Sequence, residues 1–393
     1  DNSTLTLRFS EPICPVSNLC AVEFSNADIT LDNGSLSTME TDDNETWTGT
    51  FTPTDDIEDN TSVLSLGTNY TDLAGNNGPA ATTANYKVET VAPTVDNFTM
   101  SRTEFKIGET ATVTLRFSEP VAGFSNADIT VDNGSLSTTM TSPNGDNITW
   151  TGTFTPTDDI EDNTSVLSLG TNYTDRAGNN GPAAQTANYK VDTREPVVSN
   201  VAISGQAGIQ NNFLNPNDNV SFTATFSEPV ILVNSSGSPT LPIVVGSLNR
   251  TALYKSGSGS NQLVFGYTIK QLNTNGENDA NGISIGSSVL TLPSGSTIQD
   301  AAGNDAILSH DNVTDNDSYK VDTSAPSVDN FTMSDTALKI GDNSTVTLIF
   351  SEQICPDTGS CAVGFTNADI TVPNVDGTST ATGSLSTIAT SDN

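Results

Sequence analysis

The sequence predicts an all-β fold made of tandem immunoglobulin-like β-sandwich modules, and three observations carry that prediction. The first is repetition. Thr46–Thr90 matches Thr149–Thr193 with only three differences, Leu73/Arg176, Thr82/Gln185 and Glu89/Asp192, and a second string recurs at Phe24–Thr38 and Phe124–Thr138. Self-similarity at a fixed period marks an array of like units. The second is alternation: Leu5, Leu7 and Phe9 are separated by Thr6 and Arg8, the period of a strand with one buried face. The third is composition. Thr, Ser, Asn, Asp and Gly abound while helix formers are scarce, as in an all-β protein with many turns.

Recurring motifs set the frame. Ser-Glu-Pro stands at Ser10–Pro12, Ser118–Pro120 and Ser227–Pro229, with a Ser351–Gln353 variant. Ala-Gly-Asn begins at Ala74, Ala177 and Ala302, and linkers ending in proline lead to Pro93, Pro196 and Pro326. These place module 1 at residues 1–92, module 2 at 93–196, a longer module 3 at 197–326, and module 4 at 327–393. Such lengths are ordinary for compact domains. Module 1 is expected to lack its first strand and module 4 to stop after its fourth. Asp1–Thr30 resembles Asp342–Thr371, so a three-module cassette is expected to repeat in a longer parent.

Within a module the elements follow in order. The first strand, PTVDNFTM from Pro93, leads to the alternating strand Val113, Leu115, Phe117. ADIT is the third strand. Asn33-Gly34 and Asn133-Gly134 then predict a hairpin into the fourth, SLST. In the fifth, Trp47, Gly49 and Phe51 share a face, and Trp150, Gly152 and Phe154 repeat it as core. The sixth carries Leu64, Leu66 and Tyr70, and the seventh puts Tyr86 and Val88 inward. Seven strands in a unit of this size predict an immunoglobulin-like sandwich. In module 3 the middle is rewritten as PTLPIVV, TALYK and QLVFGYTI.

The charge excludes some partners. Acidic residues number 47 against 13 basic, a net charge of −34. That repels nucleic acid and anionic lipid, which need Lys/Arg to displace counterions. No apolar run approaches a membrane span, so no membrane insertion is expected of these residues. Acid suits solubility and divalent cations alike. Catalysis is not expected. The one histidine, His310, lies in an acidic stretch read as a solvated loop, without a paired Cys or a nucleophile motif. The carboxylates sit on loops without a pocket to split their pKa values.

The four cysteines form two Cx5C pairs, Cys14/Cys20 and Cys355/Cys361, in the same loop of modules 1 and 4. Local disulfides are expected, stapling a loop insertion that module 2 lacks, and they imply an oxidising compartment. Zinc would need further ligands nearby.

The set TLRFSEPV, FSNADITVDNGSLS, WTGTFTPT, YTDRAGN and YKVDTREP resembles the bacterial Ig-like modules of large surface adhesins and other repetitive secreted proteins. The resemblance covers essentially the whole chain and is strongest in modules 1, 2 and 4. It implies an extracellular or cell-surface stalk concerned with cell adhesion and often rigidified by Ca2+. It implies no ligand.

Strand parity supplies a site. In a seven-strand up-and-down count, the second and sixth strands end at the pole where the first begins. The Glu of Ser-Glu-Pro, the Asp before Ala-Gly-Asn and the Asp opening the third strand should gather there beside the preceding linker acid. For module 2 the set is Glu89, Glu119, Asp128 and Asp175. For module 3 it is Asp192, Glu228 and Asp300, and for module 4 Asp322, Glu352 and Asp369. The acids of PTDDIEDN, Asp55, Asp56, Glu58 and Asp59 in module 1 and Asp158, Asp159, Glu161 and Asp162 in module 2, should face the next module from the other pole. Calcium takes six to eight oxygen ligands in flexible geometry, so Ca2+ at the junctions is one reading. The other is turn chemistry, with the Glu capping backbone N–H groups and the Asp forming an Asx turn.

The leading expectation is a structural stalk, its partners the neighbouring modules of its own chain, with host-surface glycan or protein engaged through regions outside these residues. Two alternatives stand beside it. One is a glycan- or protein-binding role for module 3, with Tyr254 and Tyr267 as candidate contacts; the other is an accessory region of a secreted enzyme.

Overall fold

The structure of the chain is a computed structural model and describes residues 2–15, 20, 22–137, 139–233, 237–271, 277–355, 364–370, 385–387 and 389. It divides into two compact units, residues 1–194 and 195–393.

The first unit contains two sandwiches of the same design. In the second, Ala111–Phe117 alternates as the sequence requires, with Ala111, Val113, Leu115 and Phe117 buried and Thr112 and Arg116 exposed. It lies between Val95–Met100 and Thr149–Pro156, and Gly134–Leu136 closes that sheet. The opposing layer is built of short pieces. Ile129–Val131 pairs with Leu167–Leu169, which pairs with Ala184–Gln185. Glu161–Ser165 pairs with Tyr189–Asp192, and Glu104–Phe105 runs parallel to the latter. Between the layers Phe117, Phe124, Trp150 and Tyr173 pack mostly edge to face. The first sandwich repeats this with Ser3–Arg8, Thr46–Pro53 and Gly34–Leu36 in one sheet and Ile29–Leu31, Leu64–Leu66 and Ala81–Thr82 in the other.

Two local expectations are corrected. The Asn-Gly pair does not close a hairpin. Ile129–Val131 belongs to one sheet and Gly134–Leu136 to the other, so the turn carries the chain across the core. Asn133 still takes the left-handed backbone at φ 48°. Its side-chain amide donates to Asp162 Oδ2 at 2.7 Å and Ser165 Oγ at 2.9 Å, which anchors the crossing to the second layer. Second, the Asn-Ala-Asp triplet is a 3-10 turn, and the strand begins only at Ile29 or Ile129. A capping box causes this: Ser125 Oγ accepts from Ala127 N while Ser125 N donates to Asp128 Oδ2 at 2.7 Å.

The second unit opens with the long module. Its sheet runs Val198–Ala207, Asn219–Val233, Ser260–Thr268, Leu248–Ser256, Thr240–Val245, and Thr297–Gln299 pairs with the far end of Asn219–Val233. The three strands expected in the rewritten middle are thus present. One difference follows from its length. Asn219–Val233 passes through Ser227-Glu228-Pro229 by a register shift, whereas in the first two modules that motif follows the end of the strand. In the last module Val328–Met333 pairs with Val346–Phe350, and Asn367–Asp369 forms the same capped turn.

Candidate functional site at the module junctions

The exit of module 1 is the strand Tyr86–Glu89, whose partner is Glu58–Ser62. Glu58 lies directly opposite Glu89 in that ladder, a like-charge pair that costs stability. The PTDDIEDN acids are therefore only partly loop, because Glu58 and Asp59 are strand residues. Lys87 Nζ reaches Glu89 Oε2 at 3.5 Å.

Glu119 and Asp175 of module 2 come to this exit. Burial raises the Glu119 carboxyl above its usual range, and the carboxylates of Asp175, Glu89 and Glu58 raise it further, against a smaller opposing pull from Lys87. Asp175 is 2% exposed. Its Oδ1 accepts from Gly178 N at 2.7 Å and Asn179 N at 2.9 Å, and its Oδ2 from Asn179 Nδ2 at 2.7 Å. Burial works to raise the Asp175 carboxyl, but these donors outweigh it and hold it below its usual range. The Asp before Ala-Gly-Asn is thus a turn residue. Asp72 makes the same turn with Asn76, and Asp300, also buried, makes it with Gly303 and Asn304.

Asn179 was not among the residues singled out from sequence, although it belongs to the recurring Ala-Gly-Asn. Besides closing the turn, its amide donates to the backbone carbonyls of Glu89 at 3.2 Å and Val91 at 3.4 Å. The linker leaving module 1 is therefore held by the turn motif of module 2.

The remaining residues are placed as follows. Asp128 and Asp369 are engaged in their capping boxes, and Asp369 Oδ2 accepts from Thr366 N at 2.8 Å. Asp192 ends Tyr189–Asp192 opposite Glu161, repeating the like-charge pair of module 1. Glu228 lies inside Asn219–Val233. In the second unit Glu352 and Asp322 come together: burial, then the Asp322 carboxylate, pushes the Glu352 carboxyl up. Asp322 Oδ1 accepts from Ser324 N at 3.0 Å.

Cys14 and Cys20 are joined in a disulfide with Cα atoms 6.0 Å apart. Cys355 is disulfide-bonded, and Cys361 lies outside the described residues. His310 is in the short strand Ser309–His310, half-buried, and not in a solvated loop as expected. Tyr267 is buried with its hydroxyl on Glu277, and Tyr254 packs on Phe265 while its hydroxyl accepts from Ser258 N at 3.0 Å. Glu277 is a second residue the sequence reading passed over. It is fully buried and takes Arg250 Nε, the Tyr267 hydroxyl and, at 2.8 Å, Lys270 N.

Comparison with known proteins follows the same division. Residues 1–88 and 89–191 each match the family described as the bacterial Ig-like domain. No curated protein sequence matches the chain. Among solved structures, the Escherichia coli adhesin FdeC is similar at 15% identity and TM-score 0.24, over 82% of this chain and 96% of that one. InvD of Yersinia pseudotuberculosis is similar at 14% identity and TM-score 0.22, over 78% and 94%. An endo-fucoidan hydrolase of glycoside hydrolase family 107 is similar at 13% identity and TM-score 0.18, over 83% and 42%. Likenesses this weak carry no argument about function. The capped Asn-Ala-Asp turn, the shared sheet order and the family match agree, and the first half of this chain is a tandem pair of bacterial Ig-like domains.

Proposed function

We propose that the chain is a spacer, a stalk region of a secreted or surface-displayed protein, and that its work is mechanical. The observation that carries this reading is the clip at the first junction. Asn179 binds the carbonyls of both Glu89 and Val91, so the linker is fixed where a free hinge would otherwise be. Neighbouring modules of the same chain are its partners, and it performs no catalysis.

Calcium at the junctions belongs to this proposal. Glu119 is half-buried among Glu89, Glu58 and Asp175 with one lysine in reach, and Glu352 faces Asp322 in the same way. A cation relieves a carboxyl that burial and neighbouring carboxylates raise, as at Glu119 and Glu352. Because Asp175 is engaged by three N–H donors, the oxygens open to an ion at the first junction are those of Glu89, Glu119 and Glu58, with water completing the shell.

Thermal unfolding and small-angle scattering of the chain, in millimolar Ca2+ and in chelator, test both statements. A higher Tm and a longer, stiffer envelope in calcium are expected. An unchanged Tm and envelope remove calcium while leaving the clipped stalk. An envelope that shows freely hinged modules in both buffers removes the stalk.

A further inference from the structure

The residues that leave module 1 are held from two sides. Thr90 is bound back to its own module. Its N–H donates to the Ile57 carbonyl at 2.9 Å and its hydroxyl to the Thr54 carbonyl at 2.8 Å, while the hydroxyl oxygen accepts from Ile57 N at 2.9 Å. Glu89 and Val91, on either side of Thr90, offer their carbonyls to Asn179 of module 2. In extended chain the backbone groups of successive residues point to opposite edges, so one edge here serves module 1 and the other serves module 2. The backward grip recurs at the end of module 2. Thr193 N donates to Ile160 O at 2.8 Å, and its hydroxyl donates to Thr157 O at 2.7 Å and accepts from Ile160 N at 3.1 Å. An extended exit is therefore built into the repeat.

The receiving side is the Asp175–Asn179 turn. A side-chain amide nitrogen carries two N–H groups. One goes to Asp175 Oδ2, which leaves the other for the carbonyls of Glu89 and Val91. Asp175 is buried and also takes Gly178 N and Asn179 N, so the amide is fixed before the exit strand arrives. Both acceptors across the joint are backbone, so the contact reads an extended chain and not its side chains.

We infer that this turn is a docking site for the extended exit of a preceding module, indifferent to that exit's side chains, and that through it a folded module 1 stabilises module 2. The inference rests on the spacer reading and adds that neighbours are coupled in energy as well as fixed in place. While module 1 is folded, Thr90 holds the two carbonyls in position and Asn179 binds them without ordering them. Once module 1 opens, the same contact has to order the chain first, and that entropy opposes it. Coupling of this kind is reciprocal, so opening either module makes the other easier to open. Charge works the other way, because Glu58 and Glu89 of module 1 lie among the acids around Glu119, with Lys87 as the local cation. The clip outweighs that repulsion.

Hydrogen exchange read by mass spectrometry on the whole chain is the test, in chelator so that no bound cation contributes. Phe24→Asp with Leu66→Asp puts two charges into the core of module 1 and opens it; fast exchange in Thr46–Pro53 verifies the opening in the same run. The strands Ala111–Phe117 and Thr149–Pro156 of module 2 are then expected to exchange on the order of tenfold faster, the effect of two hydrogen bonds of ordinary net strength. In an Asn179→Ala background, opening module 1 is expected to leave those strands unmoved. In a background of Glu89→Asp with Val91→Thr it is expected to act as in the wild type. Module 2 exchange that is unchanged or slower when module 1 is open overturns the coupling, and leaves the spacer reading to the scattering envelope. An acceleration that survives Asn179→Ala overturns the turn as the docking site. An acceleration lost with Glu89→Asp and Val91→Thr overturns the indifference to side chains.

Discussion

The side-chain amide of Asn179 donates to the backbone carbonyl of Glu89 at 3.2 Å, across ninety residues of sequence and from one module to the next. The same amide closes the Asp175 turn, so turn and joint share one side chain.

Asn179→Ala removes donors to Asp175, Glu89 and Val91 together. A loss of about 1–3 kcal/mol is expected from leaving the buried Asp175 Oδ2 without its donor, while Oδ1 keeps its two backbone N–H groups. Asn76→Ala, in the exposed counterpart turn of module 1, is the comparison, because no bond from Asn76 to another module is seen among the described residues. Chemical unfolding gives the two costs. Scattering should show the joint loosened only in the Asn179 variant, and equal envelopes would contradict the clip.

Two carboxyls at this joint respond to pH with opposite sign. Glu119 is raised in the folded state by burial and by neighbouring acids, so the native state holds its proton more tightly than the unfolded chain does. Its contribution is full below the ordinary Glu range and is lost as pH rises through the folded value. Glu119→Gln is therefore expected to raise Tm at neutral pH, with a gain that vanishes as the carboxyl protonates in acid. A Tm gain that does not depend on pH would show that charge is not the cause.

Asp175 runs the other way. Its hydrogen bonds outweigh burial and depress it, so its contribution is full above the ordinary Asp range and is lost as pH falls through the folded value. Asp175→Ala should cost about 1–3 kcal/mol at neutral pH, the penalty of orphaned donors, and less in acid. Tm against pH for wild type and variant gives the crossover.

Gly134→Ala tests the sheet crossing. A Cβ there would lie 2.3 Å from the Phe154 ring and 2.8 Å from the Thr155 carbonyl oxygen. Phe154 is fully buried, so it cannot swing away. Overpacking of this kind costs about 1–3 kcal/mol. A neutral result in equilibrium unfolding would mean that the crossing is softer than its packing indicates.

Arg250→Met tests the buried network of module 3. Glu277 would keep the Tyr267 hydroxyl and Lys270 N but lose its cation. Removing one partner of a buried pair costs about 3–5 kcal/mol, while the double variant with Glu277→Met should recover much of it. The two unfolding curves decide whether the network or the packing around it stabilises module 3.

The strands were legible because burial on one face imposes period two, and Ala111–Phe117 shows it without a break. Strand parity likewise placed Glu89, Glu119 and Asp175 at one end of module 2, because each strand reverses direction in the count. Two readings failed where one local signal serves two structures. Asn133 takes positive φ in a hairpin or in a sheet crossing, and only its bonds to Asp162 and Ser165 select the crossing. Asp128 opens the third strand in the sequence, but its carboxylate is drawn into a capping box.

By itself the sequence determined a repeated all-β module, its core faces, its acidic poles and the local Cys14–Cys20 bridge, since all of these follow from periodicity and spacing along the chain. Tertiary structure alone decided which acids are turn residues, that Asn179 holds the preceding linker, and that Glu277 is buried with the half-buried Arg250 on it. The reason is physical. A side chain's partners and its access to water are set by what packs against it from distant parts of the chain, and local spacing does not record that.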